Sequence, residues 1–433
     1  MQTKSLSIGW QLRAYLMLRP LLQPLMRRVV AKRVARGKDD QLRSAEKFGQ
    51  TQIARPEGRL VWLHAVGLGE VLALRPLLKE MTRQAPDVSF LVTSTARSSA
   101  QVMGAHLPAN TIHQFLPLDG PRFVAAFLDH WQPDLSIWSE QDLWPGAICD
   151  TARRGIPLAY INARITEAGH KSRARFRHAF GDLMKMFELV AGQDADSVAR
   201  LRALGAQAPR QMGSLKPAAD PLLVDAAALS AVKAETAGRR LWVAASTHKE
   251  DEAVVIAAHQ KLLRTEPSAL MILAPRVPDR RAELGEALAN AGLTYALRST
   301  GAAPAADQQV YVADTFGELG LWYRLAEMAY VGGSAGDVGG HNPWEAIGQG
   351  CAVLHGANTS NFRQDYADLA AVGLATQCSG AEAAAQVADA IAHLDKTGDA
   401  AQVRQKAEAL VAKAREELTP LARDLLALLR AAP

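Results

Sequence analysis

VWLHAVGLGEVLALRPLL, residues 61–78, reads as a strand, a glycine turn and a helix in direct succession. The apolar run at 60–63 suits a strand buried on both faces, Gly67 and Gly69 break it, and helical spacing begins at Glu70. The same pattern recurs along the chain. Strands are expected at 60–63, 90–93, 135–138, 158–162 and 189–191, with helices at 70–83, 121–130, 144–154 and 194–204. After a Pro- and Ala-rich stretch, strands are expected again at 241–245, 269–274, 310–313, 328–331 and 352–354. Strand and helix in steady alternation indicate parallel sheets covered by helices. The expected fold is therefore α/β, two Rossmann-like doubly wound domains facing a central cleft, with ligands held by loops at the carboxyl ends of strands. The expected divisions are an arm at 1–45, a first domain at 46–215, a connection at 216–236 and a second domain at 237–433, whose Ala-rich end from Gly380 forms two or three helices.

Composition narrows the function classes. An apolar share of 48% and a charged share of 21% are those of a globular protein. Cys149, Cys351 and Cys378 are far apart and odd in number, which predicts free thiols in a reducing compartment and no metal-ligand spacing. Nine basic residues (Lys4, Arg13, Arg19, Arg27, Arg28, Lys32, Arg33, Arg36, Lys38) precede the first acid, Asp39; taking them from the formal charge of +5 leaves −4 for the remainder. A basic arm on a mildly acidic body argues against nucleic acid as partner, because a duplex binder spreads its charge over a folded face. Residues 8–26 are apolar but interrupted by Arg13, Arg19, Pro20 and Pro24. A spanning helix needs about 20 apolar residues, and a central Arg costs about 3 kcal/mol even on the lenient insertion scale. An interfacial anchor fits better, with Trp10, Leu12, Tyr15, Leu16, Leu18, Leu21 and Leu22 in the headgroup boundary and the cations on anionic lipid. The alternative is a helix packed on the protein's own body.

The loops carry the candidate chemistry. Glu70, at the start of a helix beside the cleft, can act as a general base or merely complement the helix dipole. Glu140 and Asp142 leave the next strand before Trp144-Pro145, which suits sugar binding or acid–base work, or simply a helix start. Asn162 and Arg164 follow a strand and lead into a basic run, Lys171, Arg173, Arg175, Arg177 and His178, suited to a phosphorylated lipid headgroup or to a solvated helix face. In the second half, Ser246 and Thr247 end a strand where they can cap a helix or meet a phosphate, and Arg276 follows another strand with the bidentate geometry that phosphate favours. Gly332, Gly333 and Ser334 open a loop with five glycines in nine residues, a place for a nucleotide phosphate. Asn342, Pro343 and Glu345 then form a good helix start.

Taken in order, EKFG (46–49), HAVGLGE, SEQDLWPG, INARI, MGSLK, ASTHKEDE, PRVPDR, DTFGEL, VGGS, GGHNPWEA and NF (361–362) resemble the 3-deoxy-D-manno-octulosonic acid (Kdo) transferases of lipopolysaccharide assembly. The resemblance implies a GT-B fold and inverting transfer of Kdo from CMP-Kdo, a co-substrate, to an anionic lipid A precursor at the cytoplasmic face of the inner membrane. The enzyme would be peripheral or monotopic, with no bound metal or other cofactor. It makes Glu70 the general base and Glu140 a second acceptor-side carboxylate. It gives Arg276, Gly332, Gly333, Ser334, Asn342 and Glu345 to CMP, with Lys216, Ser246 and Thr247 near the donor. Asn162, Arg164, Lys171, Arg173 and Arg175 are the acceptor-side candidates. The chain departs from the family pattern at Val277, where a His is usual, and at Val338, where an Arg is usual. A related transferase with another donor or envelope acceptor, and a catalytically inactive lipid-binding homologue, stay open as alternatives.

Overall fold

A computed structural model describes residues 7–37, 39–95, 108, 110–140, 143–393 and 399–429; Lys4, Lys38 and Asp142 lie outside them. The chain forms two compact units, one of residues 1–219 with 414–433 and one of residues 220–413.

The first unit holds a seven-stranded sheet of order β3-β2-β1-β4-β5-β6-β7, every neighbouring pair parallel. Its strands are β1 (Leu60–His64), β2 (Ser89–Ser94), β3 (Thr111–Phe115), β4 (Leu135–Ser139), β5 (Leu158–Ala163), β6 (Leu189–Gly192) and β7 (Arg210–Gln211). Successive side chains of a strand point to opposite faces, and here each face has its own core. Leu60, Trp62, Leu91, Trp138, Leu158 and Tyr160 pack on one side, and Val61, Leu63, Phe90, Val92, Ile137 and Ile161 on the other. Both faces are dry, so these strands read as continuous apolar runs rather than alternating ones.

The second unit repeats the plan with β8 (Leu241–Thr247), β9 (Leu270–Pro275), β10 (Tyr295–Leu297), β11 (Val310–Val312), β12 (Met328–Val331), β13 (Ala352–His355) and β14 (Ala375–Gln377). Their order is β10-β11-β9-β8-β12-β13-β14, again parallel throughout. The fold class expected from the sequence is the observed one, two Rossmann-like parallel sheets in one chain.

Two segments belong to other units than expected. Residues 216–236 are not a plain connection: helix Ala226–Glu235 belongs to the second unit and seats Val232 in its core. The Ala-rich end forms three helices, Ala383–His393, Asp399–Glu416 and Leu418–Leu426. The last of them returns to the first unit, where Leu418, Leu421, Ala422 and Leu425 share a core with Val71, Leu74, Leu77 and Leu78 of helix Leu68–Gln84.

The basic arm is helix Trp10–Ala35, and its residues divide between the two expectations. Leu12, Tyr15 and Leu16 face the body rather than a headgroup layer: Leu12 is buried in the core and the other two pack against it. Arg19 is 2% exposed, its guanidinium donating to the Asp119 carbonyl at 2.7 Å and reaching the carboxylates of Asp119 and Asp150 at 3.3 and 3.0 Å. It is a structural cation and not one that lipid could meet. Trp10, Met17, Leu18, Leu21, Leu22, Leu25 and Val29 are exposed on the same helix. No helix among the described residues is long and apolar enough to cross a membrane.

Candidate functional site

In an open parallel sheet, ligands bind where the strand order reverses, at the carboxyl ends. In the first sheet that point lies between β1 and β4, and the loops leaving those strands carry Glu70 and Glu140. Glu70 sits in the first turn of helix Leu68–Gln84, where its Oε2 accepts from the amides of Val66 at 2.8 Å and Gly67 at 3.3 Å. Both bonds fall on one oxygen, and Oε1 has no hydrogen bond among the described residues. Burial raises the Glu70 pKa, the charge of Glu140 raises it further, and the two amides and Lys216 oppose the rise.

Glu140 follows β4 with a left-handed backbone, φ 65°, and is 4% exposed. Such a conformation costs about 1–3 kcal/mol for a residue other than glycine and persists only where the surroundings enforce it. Here the Tyr160 hydroxyl donates to its carbonyl, and its Oε1 accepts from Asn162 Nδ2 at 3.3 Å and lies 3.2 Å from Lys216 Nζ. Lys216, expected near the donor or the developing charge, lies in the first unit and pairs with Glu140. Asn162 is buried with φ 51°, its Oδ1 accepting from the Leu215 amide at 3.2 Å. It ties the Glu140 loop to the Lys216 segment.

The remaining acceptor candidates lie at the surface. Lys171, Arg175, Arg177 and His178 are exposed, Arg164 and Arg173 half-buried. Lys171 pairs with Glu167 at 2.6 Å, and Arg173 stacks 5.7 Å from the Phe180 ring centroid. Of the two short helices of this patch, Glu167–Ala174 and Arg177–Met184, the second adjoins the start of the N-terminal helix: the Gly9 amide donates to Asp182 at 2.7 Å, and Gln11 accepts from the Ala179 amide at 3.2 Å.

In the second sheet the order reverses between β8 and β12, which places Ser246, Thr247 and the glycine loop together. Asp251, absent from the sequence-derived candidates, organises both. It is fully buried and accepts from the amides of His248 at 2.9 Å, Gly333 at 2.6 Å, Ser334 at 3.2 Å and Ala335 at 2.9 Å. The amides expected to cradle a phosphate are thus already engaged, and Ser334 is itself buried, donating to Val331 and accepting from Gly356. Backbone geometry accounts for the glycines. A Cβ on Gly332 would stand 2.6 Å from the Ser246 carbonyl oxygen, and Gly333 has φ 73°. Ser246 holds φ 55°, and Thr247 turns inward to Glu252 at 3.3 Å, so the helix cap is His248 instead of either.

What the loops do present is a cluster of His248, Arg276, His341, Asn342 and Glu345. The two histidines meet Nε2 to Nε2 at 2.9 Å with stacked rings. Burial, Arg276 and His248 push the His341 pKa down to about 4. Asn342 accepts from the Trp344 amide at 3.2 Å and donates to Glu345 at 3.4 Å. Burial raises the Glu345 pKa while Asn342 and the Arg276 charge oppose it. Arg276 is exposed, so the cluster presents a cation to solvent. Among the described residues no group of three or more His, Cys, Asp or Glu side chains is placed to hold a metal.

Known proteins match in both sequence and fold. Residues 42–219 match the family described as 3-deoxy-D-manno-octulosonic-acid transferase (kdotransferase). The chain is similar to the probable mitochondrial 3-deoxy-D-manno-octulosonic acid transferase of Arabidopsis thaliana, 33% identical over 79% of this chain and 78% of the relative. It is 32% identical to the Bordetella pertussis 3-deoxy-D-manno-octulosonic acid transferase over 78% of this chain and 81% of that one. Among solved structures, a glycosyltransferase from Rickettsia africae shares the fold with a TM-score of 0.59 at 10% identity, covering 87% of this chain and all (100%) of the other.

Proposed function

The chain belongs to the 3-deoxy-D-manno-octulosonic acid (Kdo) transferases, glycosyltransferases, and on that premise we propose inverting transfer of Kdo from CMP-Kdo to a lipid A precursor at the cytoplasmic face of the inner membrane. Glu70 carries the reading. Its carboxylate stands at the switch point of the first sheet, raised in pKa, with Oε1 unbonded among the described residues. In the reaction the acceptor hydroxyl gives its proton to Glu70, and its oxygen attacks the anomeric carbon. The bond to the CMP phosphate breaks from the opposite side, and the phosphate leaves with the electron pair. Arg276 and Asn342 are assigned to CMP, and Glu345 to its ribose. No metal ion has a role. Purified protein given CMP-Kdo and tetraacylated lipid A precursor should release CMP in step with lipid glycosylation; no release beside a competent relative would overturn the proposal. Val277 and Val338, exposed in the second unit, favour one other reading, a different nucleotide sugar. A larger thermal shift with a UDP sugar than with CMP would select it.

The pH profile reports on the carboxylate pair. Glu70 must be ionised to act as base, and its raised pKa puts the acid limb of the rate above the usual carboxylate range. Glu140→Gln removes the neighbouring charge that favours the protonated form, so the limb should move to lower pH. A limb that stays in place would separate Glu140 from the base.

The exposed apolar residues of helix Trp10–Ala35, flanked by Arg13, Arg27, Arg28 and Lys32, support a peripheral or monotopic attachment. Leu21→Glu with Leu25→Glu should weaken binding to vesicles containing anionic lipid by about 10²-fold, since a leucine leaving an apolar layer forfeits about 1.5–3 kcal/mol. Melting should not change, because neither side chain is buried. Equal sedimentation with vesicles would remove the helix from membrane binding.

A further inference from the structure

The second unit contains a cavity of about 650 Å³ that the chemistry above does not use. It opens at the start of β8, beside Leu241, and at the start of β12, beside Met328. Ser246, Thr247 and the glycine loop lie at the other ends of the same strands. At about 3.3 Å per residue, the length of β8 keeps the two places about 20 Å apart.

The lining is cationic. Lys233, Arg239, Arg240, Arg324 and Arg404 surround the space, and Glu327 is the one carboxylate among the described lining residues. Among the described residues Arg239 is held by main-chain carbonyls, those of Ser268, Ala269, Ala305 and Gln308. Arg240 donates to the Ile391 carbonyl at 3.2 Å and is offset in part by Glu266 at 3.9 Å. Lys233, Arg324 and Arg404 form no ion pair among the described residues. Like charges gathered around a concave space repel one another, and a low-dielectric wall focuses their field on whatever enters. The volume suits a ligand of nucleotide size, and guanidinium groups bind phosphate oxygens in pairs.

We propose that this cavity is a second ligand site, at the amino-terminal end of the second sheet, for a soluble phosphate-bearing molecule of nucleotide size. It is independent of the transferase reaction, and its test needs no turnover.

Inorganic pyrophosphate serves as the probe, titrated calorimetrically into the full chain at physiological salt, and binding at this cavity is the part that survives Arg276→Ala. One pyrophosphate should bind per chain. Arg324→Ala with Arg404→Ala should weaken it at least about tenfold, because the charge-assisted hydrogen bonds to phosphate oxygens are lost. Lys233→Gln, at an exposed helical position, should weaken it in the same direction without touching the core. Arg276→Ala, at the opposite end of the sheet, should leave it unchanged. No binding, or equal affinity in the double variant and the parent with both folded, would overturn the proposal; so would a loss in Arg276→Ala as large as that in the double variant. Vesicles of phosphatidic acid separate the sources of phosphate. Binding that depends on Arg324 and Arg404 but occurs only on vesicles would mean a lipid headgroup and would overturn the soluble ligand.

Discussion

Replacing Glu70 by glutamine should lower kcat by about 10²–10⁴-fold, the usual range for loss of a general base, with little change in the unfolding midpoint. Glutamine keeps an oxygen that can accept from Val66 and Gly67 as Oε2 does now, so the helix start survives while the proton acceptor is lost. Alanine removes both, and should add about 0.5–2 kcal/mol of destabilisation, as for a missing cap. The pair of variants separates the two roles the sequence left equal. A carboxylate that only finishes the helix would give a fully active glutamine variant and a less stable, still active alanine variant. Single-turnover rates and urea melts on both proteins distinguish the cases.

Asp251→Ala should cost the second unit about 3–5 kcal/mol. Each buried amide left without a partner costs about 1–3 kcal/mol, and Asp251 serves four, from His248, Gly333, Ser334 and Ala335. Water entering the gap recovers part of the sum. The loss should appear as a lower urea midpoint and as faster amide exchange in the loops after β8 and β12. CMP affinity should fall too, because Asn342 and His341 follow directly from those loops. Asp251→Asn keeps an acceptor but turns an NH2 group toward the amides, and should be intermediate. An alanine variant as stable as the parent would mean that the glycine loop holds its shape unaided.

The ten strands expected from the sequence are the ten interior strands of the two sheets. Those it hid, β3, β7, β10 and β14, are the four edges. An interior strand of a parallel sheet is dry on both faces and shows an apolar run. An edge strand is short and partly wet: β7 has two exposed residues, and the last two of β14 are exposed as well. The candidate site divides in the same way. Glu70 and Glu140 were legible because strand ends and glycine turns leave local marks. Asp251 was not, since its partners Gly333, Ser334 and Ala335 lie more than 80 residues away in the chain. Its one local sign is an acid three residues after His248, in reach of the first helical turn. The pairing of Lys216 with Glu140 and of Arg19 with Asp119 and Asp150 leaves no periodic trace. Left-handed backbone at Glu140 and Ser246 is invisible in residue types that normally avoid it.

Helix Leu418–Leu426, which completes the first unit's core from beyond the second, imposes an order on biosynthesis. A chain emerging from the ribosome folds domain by domain, at about 5–20 residues per second. The second unit is contiguous and can close as soon as it has emerged. The first, though translated earlier, keeps the apolar face of helix Leu68–Gln84 uncovered until the segment from 414 onward appears. The part of the protein made first is thus the part finished last, and for those seconds its bare leucines are what a nascent-chain chaperone would meet.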